Sequence, residues 1–449
     1  MKHILTLVTT LLLAPLHAAV VPAAKPNLLV ILTDDQGRGD YGGCGTKDIL
    51  TPNMDRLFRE GVTFQNFFAN SCVCSPTRAA LLSGCYPDRV GVPGVIREES
   101  PDNSWGWLSP HVRLLPQVLA GAGYHCALVG KWHLGVSSPN LPNERGFDQF
   151  EGFLGDMMDD YWSHQRNRLN YMRHNRNVID PKGHATDLFT DWACAYLDGR
   201  AQAAQPFFLY LAYNAPHAPL QPPPAWLAKV RQREPQMAEK RAQLVALIEH
   251  LDAGIGKVLE KLDSTGLAAN TLVIFSSDNG GDLASSANNG PWRGGKGQVY
   301  DGGLRVPGAV RWPGVIAPGS QAQRMTLTMD IFATACAVAG VPPPANIDGQ
   351  SFLPTLRGQA EPDPPRDLYF VRREGGSAYA GKTIEALRRG EWKLLQNSPV
   401  APLELYNVLT DPLESNNLAG QNKALVNDLS AALRKQVQRG GAVPWQPTP

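Results

Sequence analysis

The stretch Asn27-Leu28-Leu29-Val30-Ile31-Leu32-Thr33, running straight into Asp34-Asp35-Gln36-Gly37, decides the fold of this chain. Its apolar residues are continuous rather than alternating, as in a strand covered on both faces, and a polar turn stands where the strand ends. The same design recurs three times. Residues 124–130 (YHCALVG) lead into Lys131-Trp132-His133-Leu134-Gly135, residues 207–213 (FFLYLAY) into Asn214-Ala215-Pro216-His217, and residues 271–276 (TLVIFS) into Ser277-Asp278-Asn279-Gly280-Gly281. Helical patterns lie between them. Thr51-Pro52 opens one helix, with Met54, Leu57 and Phe58 at helical spacing and Gly61 as its stop; Ser75-Pro76 opens another that ends at Gly84. Residues 243–262 and 330–339 read as two more. Strands alternating with helices predict an α/β fold, a large mixed, mostly parallel sheet sandwiched by helices. Ligands bind such sheets outside the carboxyl ends of the strands, so the four polar clusters are expected to converge.

Outward from that core, a length of 449 residues allows one large domain and a smaller appendage. After the proline-rich residues 341–344 and the loop 358–366 the pattern changes. Residues 368–372, 383–388, 392–396 and 403–407 are short strand candidates, and 423–439 a helix, predicting a small C-terminal antiparallel sheet plus helix. At the other end, Met1-Lys2-His3, the apolar run 4–16 and a small-residue region around Ala18, Ala19, Ala23 and Ala24 have the order of a secretory signal. The apolar run is too short for the roughly 20 residues of a spanning helix. The expected organisation is residues 1–24 as a cleaved signal peptide, 25–360 as the main α/β domain and 361–449 as the C-terminal α+β subdomain, in an exported protein, periplasmic or secreted. No Cys precedes Cys44, so no thiol is placed for a lipid anchor, and no membrane anchor is expected. A net charge of +1 supplies no electrostatic footprint for a polyanionic duplex, so nucleic acid is not an expected partner.

The polar clusters hold the chemistry. Asp34, Asp35, Asp278 and Asn279 offer hard oxygen ligands, suited to Ca²⁺ or Mg²⁺ rather than zinc. Lys131, His133, His217 and Lys296 fit as acids, bases and anion contacts around such an ion. The remaining cluster is Cys72-Val73-Cys74-Ser75-Pro76-Thr77-Arg78. Cys74 falls at a helix start, where backbone N–H groups and the dipole favour an anion, and Arg78 follows four residues on. A thiol there is expected to have a lowered pKa; the alternative is a structural Cys paired with Cys72 or Cys85. The total of seven cysteines is odd, which also marks one as chemically special in an exported chain.

Cys74-Ser75-Pro76-Thr77-Arg78 resembles the C-x-P-x-R signature of the formylglycine-dependent sulfatase family of the alkaline phosphatase superfamily. Asp34-Asp35, residues 130–135, His217, Asp278-Asn279 and Arg293-Gly294-Gly295-Lys296-Gly297 follow in the family's order. The one departure is Thr77, where Ser is commoner. The resemblance implies an alkaline phosphatase-like fold and a sulfuric ester hydrolase whose Cys74 is oxidised to formylglycine by a formylglycine-generating or maturase enzyme. It implies one Ca²⁺ held by Asp34, Asp35, Asp278, Asn279 and an oxygen of modified residue 74. It further implies that one hydroxyl of the hydrated aldehyde attacks sulfur and the other drives release of sulfate. Asp278 would accept the nucleophile's proton. His217 and Lys296 would bind sulfate and protonate the leaving oxygen, His133 would assist the release, and Arg78 and Lys131 would hold the hydrated aldehyde.

The expected substrate is a sulfated small molecule or glycan, because residues 156–176 combine aromatic and basic side chains. Trp162 and Tyr171 are candidates to stack on a sugar, and Arg166, Arg168, Arg173 and Arg176 to contact further anionic groups. Two alternatives stand beside this reading: a phosphodiesterase or phosphonate monoester hydrolase using the same modified Cys, and an inactive glycan-binding relative.

Overall fold

The computed structural model describes residues 25–97, 104–359, 366–375 and 383–446. The expected signal peptide, residues 1–24, and the expected domain boundary at 360/361 lie outside the described residues.

The strands are β1 (Asn27–Thr33), β2 (Val62–Phe68), β3 (His125–Lys131), β4 (Gln149–Phe153), β5 (Gln165–Arg166), β6 (Leu169–Asn170), β7 (Met172–His174), β8 (Asn177–Val178), β9 (Phe207–Ala212), β10 (Thr271–Ser277), β11 (Gly308–Arg311), β12 (Ser320–Leu327), β13 (Asp367–Arg373), β14 (Thr383–Arg389), β15 (Trp392–Gln396) and β16 (Glu404–Asn407). Ten form the main sheet in the order β12-β2-β11-β10-β1-β9-β3-β4-β7-β8. The four apolar runs are its centre. They lie side by side as β10-β1-β9-β3, all parallel, and β1, β9 and β10 are buried along their whole length. Continuous apolar sequence is what a strand needs when helices cover both faces. Toward the edges the pairings β10–β11, β11–β2, β4–β7 and β7–β8 are antiparallel, so the sheet is mixed around a parallel core.

The helices form where the sequence signals them. Pro52–Glu60 follows Thr51, whose hydroxyl donates to Asp55 Oδ1 and accepts the Gly42 N–H. Cys74–Ser83 ends at Gly84, whose φ of 71° is a left-handed C-cap that suits glycine. The longest helix runs Glu239–Ser264, beyond the expected 243–262, and Asp330–Ala339 is as expected. The middle of Glu239–Ser264 is buried nearly all round, because other helices pack along it, Pro52–Glu60, Ala185–Arg200 and Pro224–Arg233 among them.

The C-terminal sheet is antiparallel in the order β13-β14-β15-β16, with the helix Lys423–Gly440 against it. Its core is shared: Leu368, Phe370, Leu387 and Leu394 pack in one cluster with Phe68, Cys72, Ala80, Tyr86 and Leu304 from the main sheet side. A buried ion network crosses the same boundary, where Lys393 Nζ lies 2.7 Å from Asp301 Oδ1 and 2.8 Å from Glu414 Oε1.

Candidate active site

The carboxyl ends of β1, β3, β9 and β10 deliver the four polar clusters to one place. Asp34 Oδ2 lies 2.5 Å from Lys131 Nζ, joining the clusters after β1 and β3. Arg78 Nη2 lies 2.7 Å from Asp278 Oδ2 and 3.5 Å from Asp34 Oδ2, bringing in the helix Cys74–Ser83 and β10. Lys296 Nζ reaches Asp35 Oδ2 at 2.7 Å and His217 Nε2 at 2.9 Å, bringing in the glycine-rich loop and the turn after β9. Asp35 and His133 hold left-handed backbone, with φ of 65° and 58°, a conformation that costs a non-glycine residue on the order of 1–3 kcal/mol. Both are fixed by neighbours: the Asp35 N–H donates to Asp278 Oδ1, and the His133 N–H to the Leu154 carbonyl.

The acidic group suits a hard cation. Ligand atoms of Asp34, Asp35, Cys74 and His217 all lie within 4.8 Å of one another. Asp34 Oδ1 and Asn279 Oδ1 are buried oxygens with no hydrogen-bond partner, the state expected of acceptors waiting for a metal. Burial and the neighbouring Asp34 push Asp278 up, while Asp34, despite burial, is held down chiefly by Lys131. A divalent ion at this point would relieve the repulsion between these carboxylates.

Hydrogen bonding sets the tautomers of the two histidines. His217 Nδ1 lies 2.6 Å from the Ala218 carbonyl, which can only accept, so Nδ1 carries the proton and Nε2 accepts from the Lys296 ammonium. Burial and Lys296 lower the His217 pKa, keeping the ring neutral. His133 donates Nε2–H to the Ile96 carbonyl at 3.0 Å, and its buried Nδ1 is left as a lone pair without a partner. Burial, then Lys131 and Arg78, hold His133 well below its ordinary value.

Cys74 is the first residue of its helix and lies at the floor of a cleft of about 370 Å³. The expected lowered pKa is not found. Burial pushes the thiol up to about 12 against the pull of Lys296 and Lys131, with Asp34 and Asp278 adding to the rise, so the unmodified Cys74 is a protonated thiol and not an activated thiolate. Nor is it paired: all seven cysteines are free, which removes the disulfide with Cys72 or Cys85. Thr77 turns its hydroxyl to the loop before the helix, accepting the Ser71 N–H and donating to the Ser71 carbonyl, each at 3.1 Å. Ser, which shares that hydroxyl, could make the same two bonds.

The structure therefore gathers Asp34, Asp35, Cys74, Arg78, Lys131, His133, His217, Asp278, Asn279 and Lys296. The expected sugar contacts fare differently. Trp162, Arg168 and Arg173 are not among the residues that line the cleft. Trp162 is half exposed and meets the His184 ring edge on; Arg168 sits in the turn between β5 and β6; Arg173 donates Nη1 to the carbonyls of Asn170 and Met172. Tyr171 is buried against Phe153, with no face to offer. From residues 156–176 it is Asp156, Met157 and Arg166 that reach the cleft, Arg166 being gripped by Asp156 at 2.8 Å. Gly297 of the glycine-rich motif also lines the cleft, whereas Val95, Arg97, Asp282 and Arg372 carry no local motif; Arg372 arrives from β13, far along the chain, and only the tertiary fold could disclose it.

The family model described as Sulfatase matches residues 26–341, and the model described as N-sulphoglucosamine sulphohydrolase, C-terminal, matches residues 294–440. The chain is 33% identical over 390 residues to N-acetylgalactosamine-6-sulfatase of Mus musculus, covering 82% of this chain and 71% of that protein. It is 30% identical over 481 residues to arylsulfatase A of Homo sapiens, covering 95% and 90%. Among solved structures, Ps i-CgsB in complex with k-i-k-neocarrahexaose superposes with a TM-score of 0.85 at 31% identity, covering 94% of this chain and 95% of that one. With a family match over most of its length and relatives at 30–33% identity over 82–95% of it, the chain belongs to the type I sulfatases of the alkaline phosphatase superfamily and is a sulfuric ester hydrolase.

Proposed function

We propose that this protein hydrolyses sulfate esters of a sulfated carbohydrate, using formylglycine at position 74 and one calcium ion, after export directed by residues 1–24 and maturation of Cys74 by a formylglycine-generating or maturase enzyme. The observation that carries the reading is the pair of orphaned buried oxygens, Asp34 Oδ1 and Asn279 Oδ1, beside a Cys74 whose thiol burial keeps protonated. A thiol so placed is a poor nucleophile, and two such oxygens are acceptors suited to a hard cation. The sulfated-glycan substrate is supported by the relatives, one named for N-acetylgalactosamine-6-sulfate and one solved with neocarrahexaose.

Asp34, Asp35, Asp278 and Asn279, with an oxygen of residue 74, would hold the calcium. A hydrated aldehyde there would supply a hydroxyl nucleophile and a second hydroxyl on the same carbon, and a calcium ion would lower the charge cost of bringing an anionic ester to them. The side chains do the rest. Arg78 and Lys131, locked onto Asp278 and Asp34, fix the position of residue 74. His133 Nδ1, a bare lone pair, is set to accept a proton from a hydroxyl at residue 74. Lys296 and His217 act as one protonic unit: Lys296 is held charged mainly by Asp35 against burial, donates to His217 Nε2, and the pair neutralises sulfate and protonates the leaving oxygen. Residues 25–360 would form the catalytic domain and 361–449 the C-terminal subdomain that closes its cleft.

Two measurements on one preparation test the reading: mass spectrometry of the peptide containing residue 74, and turnover of 4-nitrophenyl sulfate and N-acetylgalactosamine-6-sulfate. Formylglycine with sulfate release is the expected result. An active preparation carrying only unmodified Cys74 would overturn it.

A further inference from the structure

Arg38 is a buried arginine without an acid. Only 7% of it is exposed, yet among the described residues it forms no ion pair; its Nη1 donates to the Tyr41 hydroxyl, and its guanidinium lies 5.4 Å from the centre of the same ring. The acids that follow it are engaged elsewhere. Asp40 and Asp48 both lie on Arg241, at 2.6 and 2.8 Å, and Asp55 Oδ1 accepts the Gly43 N–H at 2.8 Å and the Thr51 hydroxyl at 3.1 Å. A charge withdrawn from water is normally paired, so a guanidinium left this way calls for a ligand.

Arg38 lines a cavity of about 400 Å³ that shares no lining residue with the catalytic cleft. That volume falls in the range of roughly 300–1,000 Å³ typical of small-molecule sites. Its walls come from the segment 38–46, the loop 290–292 and the strands β2 and β12. Tyr41 is stacked on Phe58 at 4.4 Å with the rings 8° from parallel, which fixes the hydroxyl that orients Arg38. The segment is pressed against the loop: the Gly39 N–H donates to the Asn288 carbonyl at 2.9 Å, and a Cβ at Gly39 would stand 2.8 Å from the Gly290 nitrogen. The strands supply a polar row. Thr63 and Gln65, two apart on β2, lie on one face, and Gln321 is the register partner of Thr63 on β12, so the three side chains share that face. Among the described residues, none of these three side chains hydrogen-bonds within the protein, and Arg38 is the only charged side chain that lines the cavity.

These groups define a ligand class. A guanidinium fork not taken by an acid suits a sulfate or a carboxylate. Two side-chain amides and a hydroxyl with unspent donors and acceptors suit the hydroxyls of a sugar, and Trp292 adds aromatic surface to the lining. An apolar ligand would strand the charge and all three polar groups. We propose that this cavity is a second, non-catalytic binding site for an anionic sugar residue, whose sulfate or carboxylate lies on Arg38 and whose hydroxyls meet Thr63, Gln65 and Gln321. A glycan chain is then held at a place other than the cleft. The site does not depend on the chemistry at position 74 and stands or falls separately from the reading above.

Cys44 reports on the site, because it is exposed and lines the cavity. The test uses full-length Cys74→Ala protein, so that no probe is turned over, and follows alkylation of Cys44 by iodoacetamide through peptide mass spectrometry. Cys194, which lines neither the cavity nor the cleft, is the internal reference. The probes are N-acetylgalactosamine-6-sulfate, glucuronate, N-acetylgalactosamine and sodium sulfate. At least one of the two anionic sugars, at about ten times its Kd, should slow alkylation of Cys44 roughly tenfold, since only unliganded protein reacts, and which of them does so identifies the anionic group. The neutral sugar should give no protection at the same concentration, and added sodium chloride should weaken that of the anionic one. Arg38→Gln should abolish the protection, and Arg38→Lys, which keeps the charge and loses the fork, should keep part of it. Gln321→Ala, at an exposed strand position, covers the case in which the Arg38 variants fail to fold, and should weaken the protection several-fold. No saturable protection by either anionic sugar, protection that survives Arg38→Gln or is undiminished in Gln321→Ala, or equal protection by sodium sulfate overturns the proposal. None of these results bears on the sulfatase reading, which is tested at position 74.

Discussion

At position 217 a histidine donates its Nδ1–H to a backbone carbonyl and shows only a lone pair to Lys296, so the proton for the leaving group has to come from the Lys296–His217 pair. His217→Ala should therefore lower kcat/KM on sugar sulfates, whose alkoxides leave poorly, by about 10²–10⁴-fold. The loss on 4-nitrophenyl sulfate, whose phenolate needs no proton, should be at least tenfold smaller; equal losses would remove His217 from proton delivery. Asp278 is a different kind of residue. Its Oδ2 holds Arg78 and its Oδ1 holds the Asp35 backbone, so it orders two neighbours as well as offering a ligand. Asp278→Ala should cost more than about 100-fold in activity and abolish bound calcium measured by elemental analysis, whereas retention of a full equivalent of metal would exclude it from the ligand set. These residues were legible in the sequence because each follows directly on a strand in a short motif. The state of Cys74 was not. A helix start favours a thiolate through its dipole, but at Cys74 burial outweighs the dipole and decides the outcome.

Elements show the same division between local and tertiary signals. The four central strands announce themselves because burial on both faces demands unbroken apolar sequence. The outer strands β2, β4, β11 and β12 do not: in β12 the alternation of exposed and buried residues breaks down where the register shifts between Ala322 and Met325, so no simple period marks it. The C-terminal elements were read closely, with 392–396 matching β15 at both ends, since Gly and Asn punctuate each turn. What sequence could not give is how this sheet meets the main one. Asp88, in the turn Pro87–Val90, lies beneath it, accepting the Tyr369 hydroxyl at 3.0 Å with Arg373 at 3.4 Å, and burial raises its pKa to about 6 in spite of Arg373. An acid whose folded pKa is raised is favoured when protonated. Its contribution is fully present below about pH 4 and is lost as pH rises through about 6, by up to about 3 kcal/mol. Asp88→Asn mimics the protonated form, so its Tm relative to wild type should rise between pH 4 and pH 7. A difference independent of pH, followed by scanning fluorimetry, would show that Asp88 titrates normally.

On the scale of the whole molecule the two sheets are bound by a shared apolar core and by a buried ionic knot, and both bear on how the protein unfolds. Phe68, Tyr86 and Leu304 from the main side are covered by β13 and β14 residues, so removing the C-terminal sheet would bare a large apolar face. Lys393, fully buried, answers both Asp301 and Glu414, while Arg305 Nε holds Asp301 Oδ2 at 2.7 Å. Lys393→Met keeps much of the side chain's length but leaves Glu414 without its cation and Asp301 with Arg305 and Arg388 alone, which should cost on the order of 3–5 kcal/mol. Because the knot and the core span both sheets, that loss should fall on the molecule as a unit. Calorimetry of the wild type is expected to give one transition, with equal calorimetric and van't Hoff enthalpies, and Lys393→Met one transition at lower temperature. Two transitions, with only the smaller one moved by the substitution, would mean that the C-terminal sheet folds separately. Arg372, which reaches the cleft from β13, would then be carried on an independent unit.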